Sequence, residues 1–300
     1  MINRLSYRLI EFFRRHSAAG QPLALVTVLG TEGSTYSKAG GQMMVAANGD
    51  FLGMLSGGCL ESDLAERAVK IMSGTNAEVV TYDLRDDDEL FGLGIGCEGL
   101  IRILIQPLTD SRDYQPFTAL LQQLEKKPCV DFVLGDAQQD FGSVRVWAPP
   151  RLLILGAGAD VDPLARICVD LGFELVVTDH RPAAIERIHA IPGLSASCLA
   201  AGAIGSQIDL RRFDAAIVMS HNLVADREYL HALANSPVPY VGLLGPPRRR
   251  DRLLTELGAD ADLFEGRLHG PVGKRIGGRG PGAVALEIAA ELQARFSTPA

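Results

Sequence analysis

A short segment of the chain combines two glycines, a cysteine and a glutamate in a way that could bind an anion or a soft metal. It reads Ser56-Gly57-Gly58-Cys59-Leu60-Glu61 and lies between a predicted strand and a predicted helix. Consecutive glycines leave backbone N–H groups free to converge on an anion, and the positive end of a helix stabilises a thiolate. We therefore expect Gly57, Gly58, Cys59 and Glu61 to form a cofactor-binding site. The Cys59 sulfur would suit a metal such as molybdenum or copper, or persulfide chemistry. In the alternative, Glu61 only caps N–H groups and Cys59 is a buried structural cysteine.

Two other polar loops contain residues of the same kinds. The loop at 92–99 holds four glycines, Cys97 and a carboxylate. Glycine at this density allows close approach to the backbone, so we expect Gly96 and Cys97 to form a second wall of the same site, unless the loop is purely structural. In a third loop, which follows another predicted strand, Ser34 and Lys38 could hold a phosphate. A solvated turn would explain those two residues as well.

The second half of the chain has the residue spacing of a dinucleotide-binding loop. Gly156-Ala157-Gly158 ends a predicted strand and opens a predicted helix, and Asp179 lies 21 residues beyond Gly158 at the end of the next strand. Such glycines let a pyrophosphate approach a helix N-terminus, and the carboxylate can accept hydrogen bonds from ribose hydroxyls. Because Val161 stands where a third glycine is usual, the loop could also be only a turn in a Rossmann-like domain.

Three further polar residues of this half follow predicted strands. His221 and Asn222 come directly after one strand, so their side chains should stand at the carboxyl edge of the sheet, where such folds bind ligands. His221 is equally consistent with a structural role. Arg248 lies among three arginines that open a helix, where cations oppose the helix dipole. Either acidic neighbours such as Asp251 and Glu256 pair with these arginines, or they face an anionic ligand.

The elements that must position these residues change in kind at Ala148-Pro149-Pro150, because two prolines continue neither a helix nor a strand ladder. Before this boundary we predict a mixed α/β domain with helices at its N-terminus, at 60–72 and at 117–124, strands at 23–29, 42–46, 51–55, 79–84 and 100–105, and two short closing strands. After it, strands and helices alternate, which predicts a doubly wound parallel sheet. The strands are at 152–155, 174–178, 213–219 and 238–244, and the helices at 162–171, 182–190, 227–234, 248–257 and 283–296. The predicted domains are residues 1–148 and 151–300.

Composition excludes several classes of protein. The chain has 300 residues, 47% hydrophobic and 22% charged, and its formal charge of −7 argues against a nucleic-acid binder. Arginines interrupt the apolar residues of the N-terminus, so we expect no signal peptide, and no stretch is apolar enough for a membrane helix. Five widely scattered cysteines without a C-x-x-C pair argue against a disulfide framework and a structural zinc site. We therefore expect a cytoplasmic protein.

Taken together, these motifs resemble the XdhC/CoxI family. The resemblance rests on the loop at 33–41, the segment at 56–61, Gly94-x-Gly96-Cys97, the strand and glycine loop at 153–158, and Tyr240-Val-Gly-Leu-Leu-Gly-Pro-Pro-Arg-Arg-Arg250. They occur in the family's order over nearly the whole chain. The resemblance implies a CoxI-type N-terminal domain and a Rossmann-like XdhC domain after it.

Members of this family are accessory proteins of xanthine dehydrogenase and related molybdenum hydroxylases. The resemblance implies a chaperone, rather than an enzyme, that binds molybdenum cofactor (molybdopterin) and protects it while a cysteine desulfurase supports its sulfuration. The chaperone then inserts the cofactor into the apo-enzyme, and a homodimer is plausible for it. A different hypothesis is an NAD(P)-dependent oxidoreductase that uses Gly156, Gly158 and Asp179, with His221 as proton donor. A third is an interaction module that recruits the desulfurase without touching the cofactor.

Overall fold

The computed structural model describes residues 3–74, 76–83, 99–135 and 139–297. The chain divides into two compact units, of which the first ends at Ala148 and the second begins at Pro149. The predicted site residues Gly96 and Cys97 lie outside the described residues. Within the described ranges, no helix is long and apolar enough to cross a membrane.

The first unit is built on an antiparallel five-stranded sheet with the order β3-β2-β1-β5-β4. In the part of this unit that the structure describes, the sheet is accompanied by a separate antiparallel hairpin, β6-β7, and by three α-helices. The strands are β1 Leu23–Gly33, β2 Gln42–Ala46, β3 Phe51–Leu52, β4 Glu78–Asp83, β5 Gly99–Leu108, β6 Cys129–Gly135 and β7 Asp140–Trp147. The helices are α1 Tyr7–Ala18, α2 Glu61–Ile71 and α3 Phe117–Leu124.

Strand β1 shows why this sheet carries helices on both faces. Its side chains alternate between the two faces, as the pleat of a strand requires. Leu23 and Leu25 pack in the core cluster that contains α1 and α3, whereas Ala24 and Val26 pack in the cluster that contains α2. Because all four are fully buried, β1 is apolar throughout this stretch. Helix α2, which follows the cysteine segment, is thereby fixed against one face of the sheet.

The second unit is a parallel six-stranded sheet with the order β10-β9-β8-β11-β12-β13, which confirms the predicted fold class. The strands are β8 Arg151–Leu155, β9 Glu174–Asp179, β10 Leu194–Cys198, β11 Ala215–Val218, β12 Val241–Leu243 and β13 Leu268–His269. The helices are α4 Val161–Asp170, α5 Pro182–His189, α6 Ile204–Gln207, α7 Leu223–Ala234, α8 Pro247–Leu257 and α9 Pro281–Phe296. One face packs against α4, α5 and α9, and the other against α7 and α8.

This strand order contains one reversal, between β8 and β11. The chain leaves β8 toward β9 and β10 on one side, then returns to β11 and continues to β12 and β13 on the other. In doubly wound sheets, ligands bind in the crevice at the carboxyl ends of the two strands where the order reverses. The loops that follow β8 and β11 carry Gly156, Gly158 and His221, so these residues lie at that edge.

Several element boundaries differ from the sequence-based prediction. Strand β3 stops at Leu52 because Gly53 has a φ of +112° and lies so close to β2 that a Cβ on it would meet the Gln42 carbonyl oxygen at 2.6 Å. Helix α7 begins at Leu223, four residues before the predicted start, because Asn222 caps it. Strands β10 and β13 were not predicted. The first consists of Leu-Ser-Ala-Ser-Cys and the second of two residues, so neither carries an apolar run.

Candidate functional site

The glycine-rich turn before α2 is organised around the carboxylate of Glu61. One carboxylate oxygen accepts hydrogen bonds from the amides of Leu55 and Ser56, at 2.6 and 2.8 Å. The other accepts from the Ser56 hydroxyl at 2.6 Å and from the Gly58 amide at 3.0 Å. The Ser56 hydroxyl in turn accepts from the Leu60 amide at 2.8 Å. The anion held by this turn is therefore a side chain of the protein itself.

This arrangement confirms the alternative in which Glu61 caps N–H groups, and it changes the expectation for Gly58. Glu61 is 3% exposed. Burial alone would raise its pKa, but the hydrogen bonds from the Ser56 hydroxyl and from the Ser56 and Leu55 amides outweigh burial, and the pKa of Glu61 falls below its ordinary value. The Gly58 amide, expected to be free for a ligand, donates to this carboxylate. Its role in holding a cofactor stays a prediction.

Cys59 lies directly between this turn and the first turn of α2. Its side chain is half-buried and packs beside the core cluster under α2. Gly57 and Gly58, on its N-terminal side, are exposed and have φ values of +80° and +111°. Cys168, by contrast, is buried, and burial raises the pKa of its thiol to about 12. The Cys59 thiol thus combines partial exposure with a backbone fixed by Glu61.

The loop that follows β1 lies against the same turn. Its Ser37 hydroxyl donates to the Met54 carbonyl oxygen at 3.4 Å, and the ring of Tyr36 lies over Gly57. Ser34 and Lys38 are both exposed, and the Lys38 ammonium lies 3.5 Å from the Thr35 hydroxyl oxygen. The structure therefore brings the loop that contains Ser34 and Lys38 together with the loop that contains Gly57 and Cys59. Gly96 and Cys97, expected to form the second wall, lie outside the described residues.

In the second unit, the glycine loop after β8 is fixed by Asp179. One oxygen of this buried carboxylate accepts from the Ala157 amide at 2.7 Å and from the Arg181 guanidinium at 2.7 Å. The other accepts from the amide and the guanidinium of Arg181 at 2.8 and 2.9 Å. Burial would raise the pKa of Asp179, but these hydrogen bonds lower it on balance. The carboxylate expected to bind ribose hydroxyls is thus committed to N–H groups of the chain.

Gly156 and Gly158 are required by close packing across the strand reversal. Gly156 has a φ of +119°, and a Cβ on it would lie 2.6 Å from the Ser220 Cα atom. A Cβ on Gly158 would lie 3.0 Å from the His221 ring. Val161, at the position of the usual third glycine, is fully buried in the core cluster that contains α4. The glycines thus bring the loops after β8 and β11 into contact.

His221 forms an ion-pairing contact at this edge. Its Nε2 atom lies 2.8 Å from a carboxylate oxygen of Asp160, and its backbone adopts a φ of +59°, which is uncommon for a residue other than glycine. The His221 side chain is 55% exposed and that of Asp160 14%. Asp160 stands at the N-cap of α4 but makes no side-chain cap there. An exposed imidazole oriented by a carboxylate can exchange a proton with a bound group.

The other predicted residues of this edge have different environments. The Asn222 side chain caps α7, accepting from the Val224 and Ala225 amides at 2.9 and 3.2 Å, so a structural cap explains it.

Arg249 pairs with buried Asp226 at 2.7 Å, and Arg250 pairs with Asp251 at 2.7 Å. These pairs agree with the expectation that acidic neighbours hold the arginines. Arg248 is exposed and has no partner among the described residues.

Sequence reasoning missed Asp160, Arg181, Asp226 and Tyr36. Asp-x-Arg spacing at 179–181 was visible in the sequence, and so was its repeat at 209–211. Nothing in the sequence tells which aspartate is buried. Within the described ranges, no group of three or more His, Cys, Asp or Glu side chains is arranged to hold a metal ion.

Comparisons with known protein families match both units. The family described as the XdhC and CoxI family matches residues 16–83, and the XdhC Rossmann domain matches residues 152–292. The first match contains the turn around Glu61, and the second contains the glycine loop and the strand reversal.

Three individual proteins are similar over most of the chain. A probable xanthine dehydrogenase subunit from Bacillus subtilis is 29% identical and aligns with 89% of this chain and 91% of its own length. The molybdenum cofactor insertion chaperone PaoD from Escherichia coli is 26% identical and aligns with 91% of this chain and 83% of its own length. A crystal structure described as that of a xanthine dehydrogenase from Bacillus halodurans has a TM-score of 0.74 at 29% identity. The match covers 98% of this chain and 97% of the chain in that structure.

Proposed function

Because the chain belongs to the XdhC and CoxI family, we propose that it is an accessory protein of xanthine dehydrogenase or a related molybdenum hydroxylase. It binds molybdenum cofactor, supports its sulfuration and inserts it into the apo-enzyme. The names of two relatives support this role, since one is a molybdenum cofactor insertion chaperone and the other a xanthine dehydrogenase subunit. The cofactor is cargo in this proposal, and the chain's task is to hold it and release it unchanged apart from its sulfur ligand.

The observation that carries the proposal is the setting of Cys59. A half-buried thiol follows two exposed glycines, and the four hydrogen bonds to Glu61 fix the backbone that presents it. A soft sulfur ligand suits molybdenum, and a fixed backbone lets it bind without rearrangement. Cys59 would contact the metal of the cofactor, while the exposed ammonium of Lys38 and the hydroxyl of Ser34 would hold its phosphate.

We also propose roles for the edge residues of the second unit. His221, oriented by Asp160, would donate a hydrogen bond to a polar group of a ligand bound at this edge. Arg248, which is unpaired within the described ranges, would attract an anion to the same edge. The partners in this proposal are the apo-enzyme and a cysteine desulfurase, which supplies the sulfur. The chain itself would act as a homodimer.

The alternative of a nicotinamide-dependent oxidoreductase has weaker support. Its central residue is Asp179, whose two oxygens accept from the Ala157 amide and from three N–H groups of Arg181. A ribose would have to displace these bonds from a fully buried carboxylate. The geometry therefore favours a structural role for Asp179 over recognition of a nicotinamide dinucleotide.

The proposed function is tested by reconstitution. The purified chain is loaded anaerobically with molybdenum cofactor released from a molybdenum enzyme, freed of unbound cofactor, and mixed with apo-xanthine dehydrogenase and a cysteine desulfurase. We expect the loaded chain to restore xanthine oxidation well beyond the same amount of free cofactor. Equal activation with and without the chain would contradict the proposed function. Calorimetry with NAD and NADP, which we expect to give no heat, tests the oxidoreductase alternative.

A further inference from the structure

The ring of Tyr36 is exposed and lies against Gly57, two residues before Cys59. It is 62% exposed, although the aromatic rings of a protein core are normally buried. Three of its ring atoms lie 3.4, 3.8 and 3.8 Å from the point where a Cβ of Gly57 would stand. Because these distances differ so little, that point lies above the plane of the ring, near the Cδ2 side of its face. One face of the ring is therefore turned toward Gly57, and much of the ring remains open to solvent.

The surroundings of the ring keep it in this position. The Thr35 hydroxyl donates to the Ser37 carbonyl oxygen at 2.8 Å, and the Ser37 hydroxyl donates to the Met54 carbonyl oxygen at 3.4 Å, so the loop is tied on both sides of Tyr36. Gly57 has a φ of +80°, which favours glycine, and a Cβ on it would be in van der Waals contact with the ring. Around Gly58, a Cβ would meet nothing within 4 Å. The space beside Gly58, the residue between Gly57 and Cys59, is thus open.

We propose that Tyr36 is a stacking surface for the planar pyrimidine ring of the pterin in the bound cofactor. This inference rests on the proposed function and adds a residue to its site. Aromatic side chains stack on flat heterocycles in an offset, face-to-face arrangement, and such stacking contributes substantially to binding of nucleic-acid bases. The pyrimidine ring of a pterin has the same kind of π face as a base.

The neighbouring groups match the other parts of the same ligand. Molybdenum cofactor consists of a pyranopterin with a flat pyrimidine ring, a dithiolene that binds the metal, and a phosphate. Tyr36 offers an aromatic face, Cys59 a sulfur two residues from Gly57, and Lys38 an exposed ammonium two residues from Tyr36.

The inference is tested by measuring how tightly variants bind the cofactor. Molybdenum cofactor released anaerobically from a molybdenum enzyme is titrated into the full chain, and bound molybdenum and bound pterin are measured after rapid filtration. We expect Tyr36→Ala to weaken binding about tenfold and Tyr36→Leu, which keeps the apolar bulk without the π face, to weaken it nearly as much. Tyr36→Phe should bind within about twofold of the unaltered chain, because it keeps the ring.

Phe51→Ala is the matched control, since Phe51 is an aromatic residue of the same unit that is 42% exposed and lies on β3. It should bind like the unaltered chain.

Thermal unfolding of each variant identifies any that fails to fold, and Tyr36→Leu and Tyr36→Phe then carry the test. Full binding by Tyr36→Ala or Tyr36→Leu would overturn the inference while leaving the proposed function intact. Full binding combined with failed activation of the apo-enzyme would also overturn it, because the ring would then serve a protein partner. If the unaltered chain binds no cofactor, the proposed function fails and the inference fails with it.

Discussion

At the scale of single residues, the account depends on carboxylates that the chain uses for itself. Glu61 accepts four hydrogen bonds from the turn that precedes Cys59, and Asp179 accepts four from the glycine loop and Arg181. Both carboxylates sit where a bound anion would otherwise be expected. Each therefore fixes its loop through groups of the chain itself.

Replacing Glu61 by glutamine should destabilise the first unit. The amide can accept on only one side, and its NH2 group would face donors that need an acceptor, namely the Gly58 amide or the amides of Leu55 and Ser56. We expect Glu61→Gln to lower the free energy of unfolding by about 2 to 3 kcal/mol, measured by urea denaturation at neutral pH. Glu66→Gln is the control, because Glu66 is exposed on the same helix, and it should change stability by less than about 0.5 kcal/mol.

The pH dependence of this effect has a defined sign. Folding lowers the pKa of Glu61. The ionised carboxylate therefore stabilises the fold at pH values above the pKa that Glu61 has in the unfolded chain. This stabilisation is lost as pH falls through the pKa that Glu61 has in the folded chain. The difference in stability between the unaltered chain and Glu61→Gln should therefore shrink on acidification. A difference that stays constant from neutral pH to the acid limit of folding would contradict this.

Residue-scale prediction from the sequence succeeded where a contact is local. Glu61 was expected in a cofactor site, with capping of nearby N–H groups as the alternative, and the N–H groups that it caps lie within six residues. The partners of Asp179 include the Ala157 amide, 22 residues distant, and could be assigned only once β8 and β9 were known to be adjacent. The Tyr36 ring was overlooked for the same reason, because its contact with Gly57 depends on how two loops pack.

At the scale of elements, buried carboxylates join strand ends that the chain separates. Asp179 ends β9 and holds the loop after β8, while Asp226 on α7 accepts from the Ser220 amide and hydroxyl and from Arg249 of α8. The carboxyl edge of the sheet is thus linked from β9 across to α8. Such links fix the loops on which His221 and Gly158 lie.

Asp179→Asn tests this element-scale role against a matched surface pair. Asp209 binds Arg211 through the amide and the guanidinium of the arginine, as Asp179 binds Arg181, but it is far less buried. We expect Asp179→Asn to destabilise the second unit by about 2 kcal/mol, and Asp209→Asn to leave its unfolding midpoint unchanged. Because folding lowers the pKa of Asp179, the effect should diminish as pH falls through the folded pKa. Equal midpoints for the two variants would refute the role assigned to Asp179.

Most elements were predictable because each carries a complete local pattern. The predicted helix at 117–124 and the strand at 42–46 have the bounds that the structure shows. The helix at 117–124 has apolar residues at helical spacing, and the strand at 42–46 leads into an Asn-Gly turn. Strand β10 was missed because it lies at the edge of the sheet with serines in place of apolar residues, so only its pairing with β9 defines it.

At the scale of the whole molecule, the chain comprises two units that each have their own core. Two core clusters consist of residues before 149 and two of residues after 151. The alternation of strands and helices after Pro150 made the second unit predictable as a parallel sheet. The antiparallel order of the first unit was not predictable, since strand periodicity alone does not specify which strands pair.

The central claim is that Cys59 holds the metal of a bound molybdenum cofactor, and retention of molybdenum tests it most directly. The chain, Cys59→Ala and the control Cys198→Ala, which removes an exposed cysteine of the second unit, are loaded anaerobically and freed of unbound cofactor. Molybdenum per protein is then measured by elemental analysis. We expect the unaltered chain and Cys198→Ala to retain about one molybdenum per chain and Cys59→Ala, with unchanged thermal unfolding, to retain almost none. Full retention by a folded Cys59→Ala would contradict the account.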